Sequence, residues 1–181
     1  MARLPDLDQA ALTPAQRRVH DMIVAGPRGT VPGPLAIWLR RPELAERAQA
    51  LGQYCRYDSS LSPRLSELAI LLTARQWGAD YEWWAHEKHA RAAGLAGAVI
   101  EAVRAGRKPA FREDDEAVVY DIVTTLYRER ALTDALYKRG MAVLGEGGVV
   151  DLVGVMGYYA LISMTINAFD VRPPDGSMCF D

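Results

Sequence analysis

From Leu152 to Phe169 the chain runs eighteen residues without a charged side chain, LVGVMGYYALISMTINAF. That length is enough to cross a bilayer, so the segment must either lie in lipid or be covered by protein. Gly154, Gly157, Ser163, Thr165 and Asn167 dilute it. Its flanks, Asp151 and Asp170, are acidic, where a membrane span takes basic anchors. A helix apolar on every side otherwise belongs at the centre of a core or in a subunit interface. The expectation is a protein without a membrane partner, built around this segment as its central helix.

The rest of the chain supplies helices to surround it, marked by their punctuation. Thr13-Pro14 and Ser62-Pro63 each pair an N-cap residue with proline at the first helical position. Pro42 opens PELAERAQALGQYCRY, with Leu44, Ala48 and Leu51 at helical spacing. Gly26, Gly78, Gly94 and Gly106 stop the successive helices. Arg112 to Arg130 begins with Glu113, Asp114, Asp115 and Glu116, as a helix dipole favours. Thr133 caps a helix through Leu144, and Gly145, Gly147 and Gly148 break the chain before the apolar one. No segment alternates with period two over a strand's length, so the class is all-α. With 181 residues the chain makes one domain. It divides into an N-terminal helical arm (1–26), a helical domain (27–171) and an extended tail (172–181). The loop GPRGTVPGP reads as a surface crossing or a pocket lid.

Composition removes several function classes. Twenty-one basic and 23 acidic residues leave a net charge of −2, which does not fit a nucleic-acid surface. Cys55 and Cys179 stand far apart in no CxxC pattern, which excludes a disulfide framework and a four-thiolate zinc site. MARLPDLDQAALTPAQ lacks the unbroken apolar run of an export signal, so the expected location is cytoplasmic.

Chemistry concentrates in ADYEWWAHEKHARAAG. At 100° per residue, Glu82, His86 and His89 fall within about 60° of each other, on the side of Ala79, Ala90 and Ala93. Glu87, Lys88 and Arg91 take the opposite side and are expected to face water. A carboxylate and two imidazoles therefore turn inward, where titratable groups need partners and a lined cleft is a functional candidate. The structural alternative is a Glu82–His86 pair at i,i+4 that locks two helices together. Histidines three apart with Glu82 could also hold a metal, but HEKH lacks the i,i+4 spacing of the metalloprotease motif and no fourth ligand is evident. The preceding helix adds Glu67 among leucines, with Arg64 as a candidate i,i+3 partner. Trp83 and Trp84 are expected to pack rather than line a pocket.

SPRLSELAILLTARQWGADYEWWAHEKHARAAGL resembles the signature of the carboxymuconolactone decarboxylase and alkylhydroperoxidase-D-like family. PELAERAQALGQYCRY and VVDLVGVMGYYALISMTINAFDV are also similar to its members. The resemblance implies an AhpD-like helical bundle assembled as a trimer or hexamer. In the peroxidase branch a glutamate is followed twelve residues on by cysteine, three later by a second cysteine and four later by histidine. At those positions this chain has Glu67, Ala79, Glu82 and His86. Both thiols are replaced, and disulfide-based peroxide reduction needs a thiolate and a resolving thiol. The resemblance therefore implies the decarboxylase branch, a cofactor-independent lyase acting on a small unsaturated lactone or related carbonyl acid in aromatic-compound catabolism. His86, Glu82 and Glu67 would carry proton transfer to an enolate; Arg75 would hold a substrate carboxylate or else pair with Glu67, and His89, outside the family signature, is a further candidate for substrate binding. No metal or organic cofactor is required. A metal-assisted hydrolase using His86, His89 and Glu82, and a non-catalytic oligomeric binding protein of the same fold, are the competing readings.

Overall fold

A computed structural model describes residues 3–180; Met1 and Ala2 of the arm and Asp181 of the tail lie outside it. The order is a short 3₁₀ turn (Gln9–Ala11), α1 (Pro14–Ala25), α2 (Gly33–Trp38), α3 (Pro42–Gln53) continuing into a π-helical turn (Tyr54–Asp58), α4 (Pro63–Trp77), α5 (Asp80–Ala92), α6 (Gly97–Arg104), α7 (Asp114–Glu129) and α8 (Asp134–Phe169). There is no strand among the described residues, in agreement with the all-α expectation.

The punctuation acts as its chemistry requires. Thr13 and Gln16 form a reciprocal capping box on α1, and Ser62 Oγ accepts the N–H of Leu65 at the start of α4. Gly78 ends α4 in the left-handed region, at φ 58°, which glycine enters without a Cβ penalty. Gly145, at φ 73°, breaks the regular run of α8 where the sequence places a boundary.

α4 and α8 form the centre. Leu68, Ala69, Ile70 and Leu71 of α4 are completely buried, and so are Leu152 and Val155 of α8. α8 packs along α4 and α7, and α5 lies across α4. Val19 and Ile23 bring α1 into the same core. By length and composition α8 could cross a membrane, but 61% of its most apolar stretch is buried inside the bundle. Asp151, at the head of that stretch, accepts the Tyr54 hydroxyl at 2.7 Å and the Ser60 amide and hydroxyl at 2.7 and 2.6 Å. Burial would raise its carboxyl, but these donors hold it below the usual range. It ties the π-helical turn to α8.

Leu44, Ala48 and Leu51 do stand at helical spacing on α3, but the spacing alone does not mark the face that is buried. The buried residues are Ala45, Ala48, Gln49 and Gly52, while Leu44 and Leu51 are 46% and 47% exposed. The helix turns its small residues inward because α8 lies close against it. A methyl group on Gly52 would stand 2.1 Å from the Tyr158 hydroxyl. Glu87 does not join Lys88 and Arg91 in water. It accepts the Trp83 indole N–H at 2.9 Å and pairs with Arg91 and with Arg104 of α6, fastening α5 to α6.

Candidate active site

The inward face of α5 meets α4 at a buried triad. His86 Nδ1 lies 2.7 Å from Glu67 Oε2, and His86 Nε2 lies 3.1 Å from Glu82 Oε1. The three residues are 4%, 8% and 3% exposed. α5 sets the Glu82–His86 pair by its own i,i+4 geometry, and α4 crossing against α5 delivers Glu67 to the other nitrogen. Burial alone would depress the histidine pKa. The charges of Glu67 and Glu82, and their hydrogen bonds, outweigh it and raise the value to about 9. At neutral pH His86 is therefore an imidazolium donating both N–H groups. The ring of Tyr159, on α8, meets it edge-on at 5.1 Å. The Tyr159 hydroxyl is buried without a hydrogen-bond partner among the described residues, and burial pushes its pKa well above the usual phenol value.

Beside the triad lies a groove of about 970 Å³. Glu67 and His89 line it, whereas His86 and Glu82 sit behind Glu67. The Gly-Pro loop contributes Arg28 and Thr30 to its wall, so the loop does border a pocket. Arg56, Tyr57, Tyr81, Trp84 and Lys88 complete the parts that carry chemistry. Arg28 Nη2 donates to the Tyr158 hydroxyl at 3.4 Å, Arg56 Nη2 donates to His89 Nε2 at 3.1 Å, and Lys88 Nζ lies over the Trp84 ring. None of these three cations is paired with a carboxylate among the described residues. Burial and the Arg56 charge, with a further contribution from His86, lower the His89 pKa. That favours a neutral ring with its proton on Nδ1.

The structure brings Glu67, Glu82, His86 and His89 together and leaves Arg75 out. Eight residues along α4 from Glu67, Arg75 is turned by about 80° and displaced by about 12 Å. It lies over the Phe180 ring, beside Gly106. Arg64 does not pair with Glu67; it reaches α7 and pairs with Asp115, at 2.7 Å, and with Glu116. Trp83 packs as expected, but Trp84 lines the groove. Although Glu67, Glu82, His86 and His89 cluster, no group of three His, Cys, Asp or Glu side chains among the described residues is arranged to hold a metal ion. Both His86 nitrogens are taken by carboxylates, and His89 Nε2 faces a guanidinium, so the donor set of the hydrolase reading does not assemble. Arg28, Arg56 and Tyr159 had no signal in the sequence, because they arrive from a loop, a π-helical turn and the apolar helix.

Residues 42–118 match the model of the carboxymuconolactone decarboxylase family. Two solved structures share the fold over nearly the whole chain. One is the alkylhydroperoxidase AhpD core of an uncharacterized peroxidase-related protein from Ralstonia eutropha JMP134, with a TM-score of 0.78, 17% identity, and coverage of 96% of this chain and 93% of that one. The other is an uncharacterized peroxidase-related protein from Silicibacter sp. TM1040, with a TM-score of 0.76, 16% identity, and coverage of 97% and 93%. No curated protein matches the chain by sequence. The matched segment carries Glu67, Glu82 and His86 and is similar to the carboxymuconolactone decarboxylase family, and the chain as a whole shares the AhpD-like fold of the two solved structures.

Proposed function

We propose that the protein is a cofactor-independent lyase of the decarboxylase-like kind, acting on a small unsaturated lactone or related carbonyl acid of aromatic-compound catabolism. The observation that carries this reading is the imidazolium of His86 held between two carboxylates, one of which, Glu67, opens into a groove with three unpaired cations. Arg28, Arg56 and Lys88 suit an anionic substrate, and Tyr81 and Trp84 suit a flat unsaturated ring. The carboxylated carbon loses CO₂, and its bonding pair passes into the carbonyl as an enolate. The cations stabilise that charge as it develops. The His86 Nδ1 proton passes to the Glu67 carboxylate, the resulting carboxyl delivers it to carbon and becomes a carboxylate again, and the neutral His86 takes a fresh proton from solvent. The proton donor facing the substrate is thus Glu67, with His86 as its reservoir. Carboxylated unsaturated five-membered lactones incubated in D₂O should release CO₂ and take one deuterium at the carbon that lost it. Uptake of the lactones without CO₂ release would favour the binding-protein reading, and ring opening alone would favour a hydrolase.

Thiol peroxidase activity is not expected. Burial raises the Cys55 thiol to about 11 and raises Cys179 above its usual value, and neither lines the groove. Peroxide reduction with a dithiol should therefore not exceed the background of free cysteine. Turnover surviving Cys55→Ala together with Cys179→Ala would refute the assignment of Ala79 and Glu82 as replaced thiol positions.

We also propose a homo-oligomer, at least a trimer. Val150, Val153 and Met164 make an exposed apolar stripe on α8. Gly154 and Gly157 within it leave open space beside the backbone, which permits close approach of another helix. Leu44, Leu51 and Tyr54 are also exposed on α3 and the turn that Asp151 joins to α8. Light scattering at micromolar concentration should give a mass of at least three chains of 20.0 kDa; a monomer would refute it.

A further inference from the structure

The tail does not leave the bundle as an extended end. After α8 the chain turns back along α5 and is fastened there twice. Asp80 Oδ1 accepts the backbone N–H groups of Cys179 and Phe180 at 2.5 and 2.9 Å. The Phe180 ring then stacks edge-on against Trp83 at 5.2 Å, with Arg75 over it. Nearer the groove, the Trp84 indole N–H donates to Asp175 Oδ2 at 2.8 Å. Asp175 is itself braced by the amide and hydroxyl of Ser177 at 3.0 and 2.7 Å. Pro173 is buried, and Pro174 stands in the groove wall beside Trp84.

An exposed indole with a free N–H is free to swing about its side-chain torsions. Here one edge of Trp84 is tied to the tail and one face is covered by the Lys88 ammonium. Tyr81 packs beside the same ring at 5.6 Å, and the tail adds the hydrogen bond of the indole N–H, which sets the edge of this aromatic wall of the groove. We propose that residues 171–180 form a specificity strap, in which the Asp175–Trp84 hydrogen bond and Pro174 set the width of the groove and so the size of the ligand it accepts. This rests on the groove being the substrate site. Trp84 and Asp175 are specificity-determining residues in this assignment and take no part in proton transfer.

The test uses the full chain labelled with 5-fluorotryptophan, whose four resonances (for Trp38, Trp77, Trp83 and Trp84) are assigned with Trp84→Phe. Benzoate and 2-naphthoate serve as narrow and wide aromatic carboxylate probes, titrated calorimetrically. Asp175→Ala should shift and sharpen the Trp84 resonance and speed amide exchange over 176–180. It should also raise the ratio of 2-naphthoate to benzoate affinity by about tenfold or more, the lower end of the scale on which pockets discriminate small apolar groups. Trp84→Phe, which keeps an aromatic ring but loses the N–H and the width of the indole, should move the ratio the same way and covers the case of a poorly folded Asp175→Ala. An unmoved Trp84 resonance overturns the strap. A released Trp84 with an unchanged ratio overturns its role in specificity. Failure of both probes to bind the wild type at millimolar concentration, or binding that survives Arg56→Ala undiminished, overturns the substrate reading of the groove and the specificity assignment with it.

Discussion

Glu67→Gln is expected to lower turnover by roughly 10²–10⁴-fold while leaving the bundle folded. The amide oxygen can still accept from His86 Nδ1, so the buried contact survives in shape. The lost property is the ability to take a proton from His86 and pass it into the groove. Glu82→Gln should behave differently, because Glu82 touches His86 but does not line the groove. Its charge is one of the two that raise the His86 pKa to about 9. Removing it lets burial win back part of the shift, so His86 loses its proton at lower pH. Turnover at neutral pH should largely persist in Glu82→Gln, and the alkaline limb, expected near pH 9 in the wild type, should move down. Turnover against pH for both variants, on whichever lactone is decarboxylated, separates the two roles. Equal losses with unmoved limbs would place both carboxylates in a purely structural cluster.

The parts of the site that lie on one helix were legible, and those that converge from several elements were not. The 100° rule places Glu82, His86 and His89 on one face of α5, and they do share it. The partnership of Glu67 with His86 spans two helices and 19 residues. No local pattern encodes it, and only the family resemblance pointed there. Arg75 shows how a one-helix reading fails: lying two turns from Glu67 along the axis, it is out of reach whatever side it takes. α3 shows a second limit. Leu44 and Leu51 stand at helical spacing, but close helix packing selected Ala45, Ala48 and Gly52 for the buried face, and the leucines remain outside. The caps were legible because Thr13, Ser62 and Gly78 act within one turn of the chain. The return of the tail along α5 was not, since a carboxylate receiving two amides from a hundred residues away has no sequence signature.

His86→Ala should destabilise the protein by about 3–5 kcal/mol near pH 7.5, the usual cost of removing one partner from a buried ion pair. The pH dependence is the sharper result. A histidine whose folded pKa lies above its unfolded value of 6.5 stabilises the fold fully below that pH, and the contribution is lost as pH rises through about 9. For a shift of this size it amounts to roughly 3 kcal/mol. The alanine variant leaves Glu67 and Glu82 facing one another without a cation. Two like charges left in a dry site repel one another, a penalty that acid relieves. Denaturant melts at pH 5, 7.5 and 9.5 should therefore show a small deficit, then the largest, then a narrowing one as wild-type His86 itself discharges. His86→Gln keeps an N–H donor to one carboxylate but no charge, and should fall between the two in stability while being nearly as inactive as alanine. A deficit independent of pH would mean that His86 is neutral in the fold. A stable and fully active His86→Gln protein would remove the proton reservoir from the mechanism and leave Glu67 to act alone.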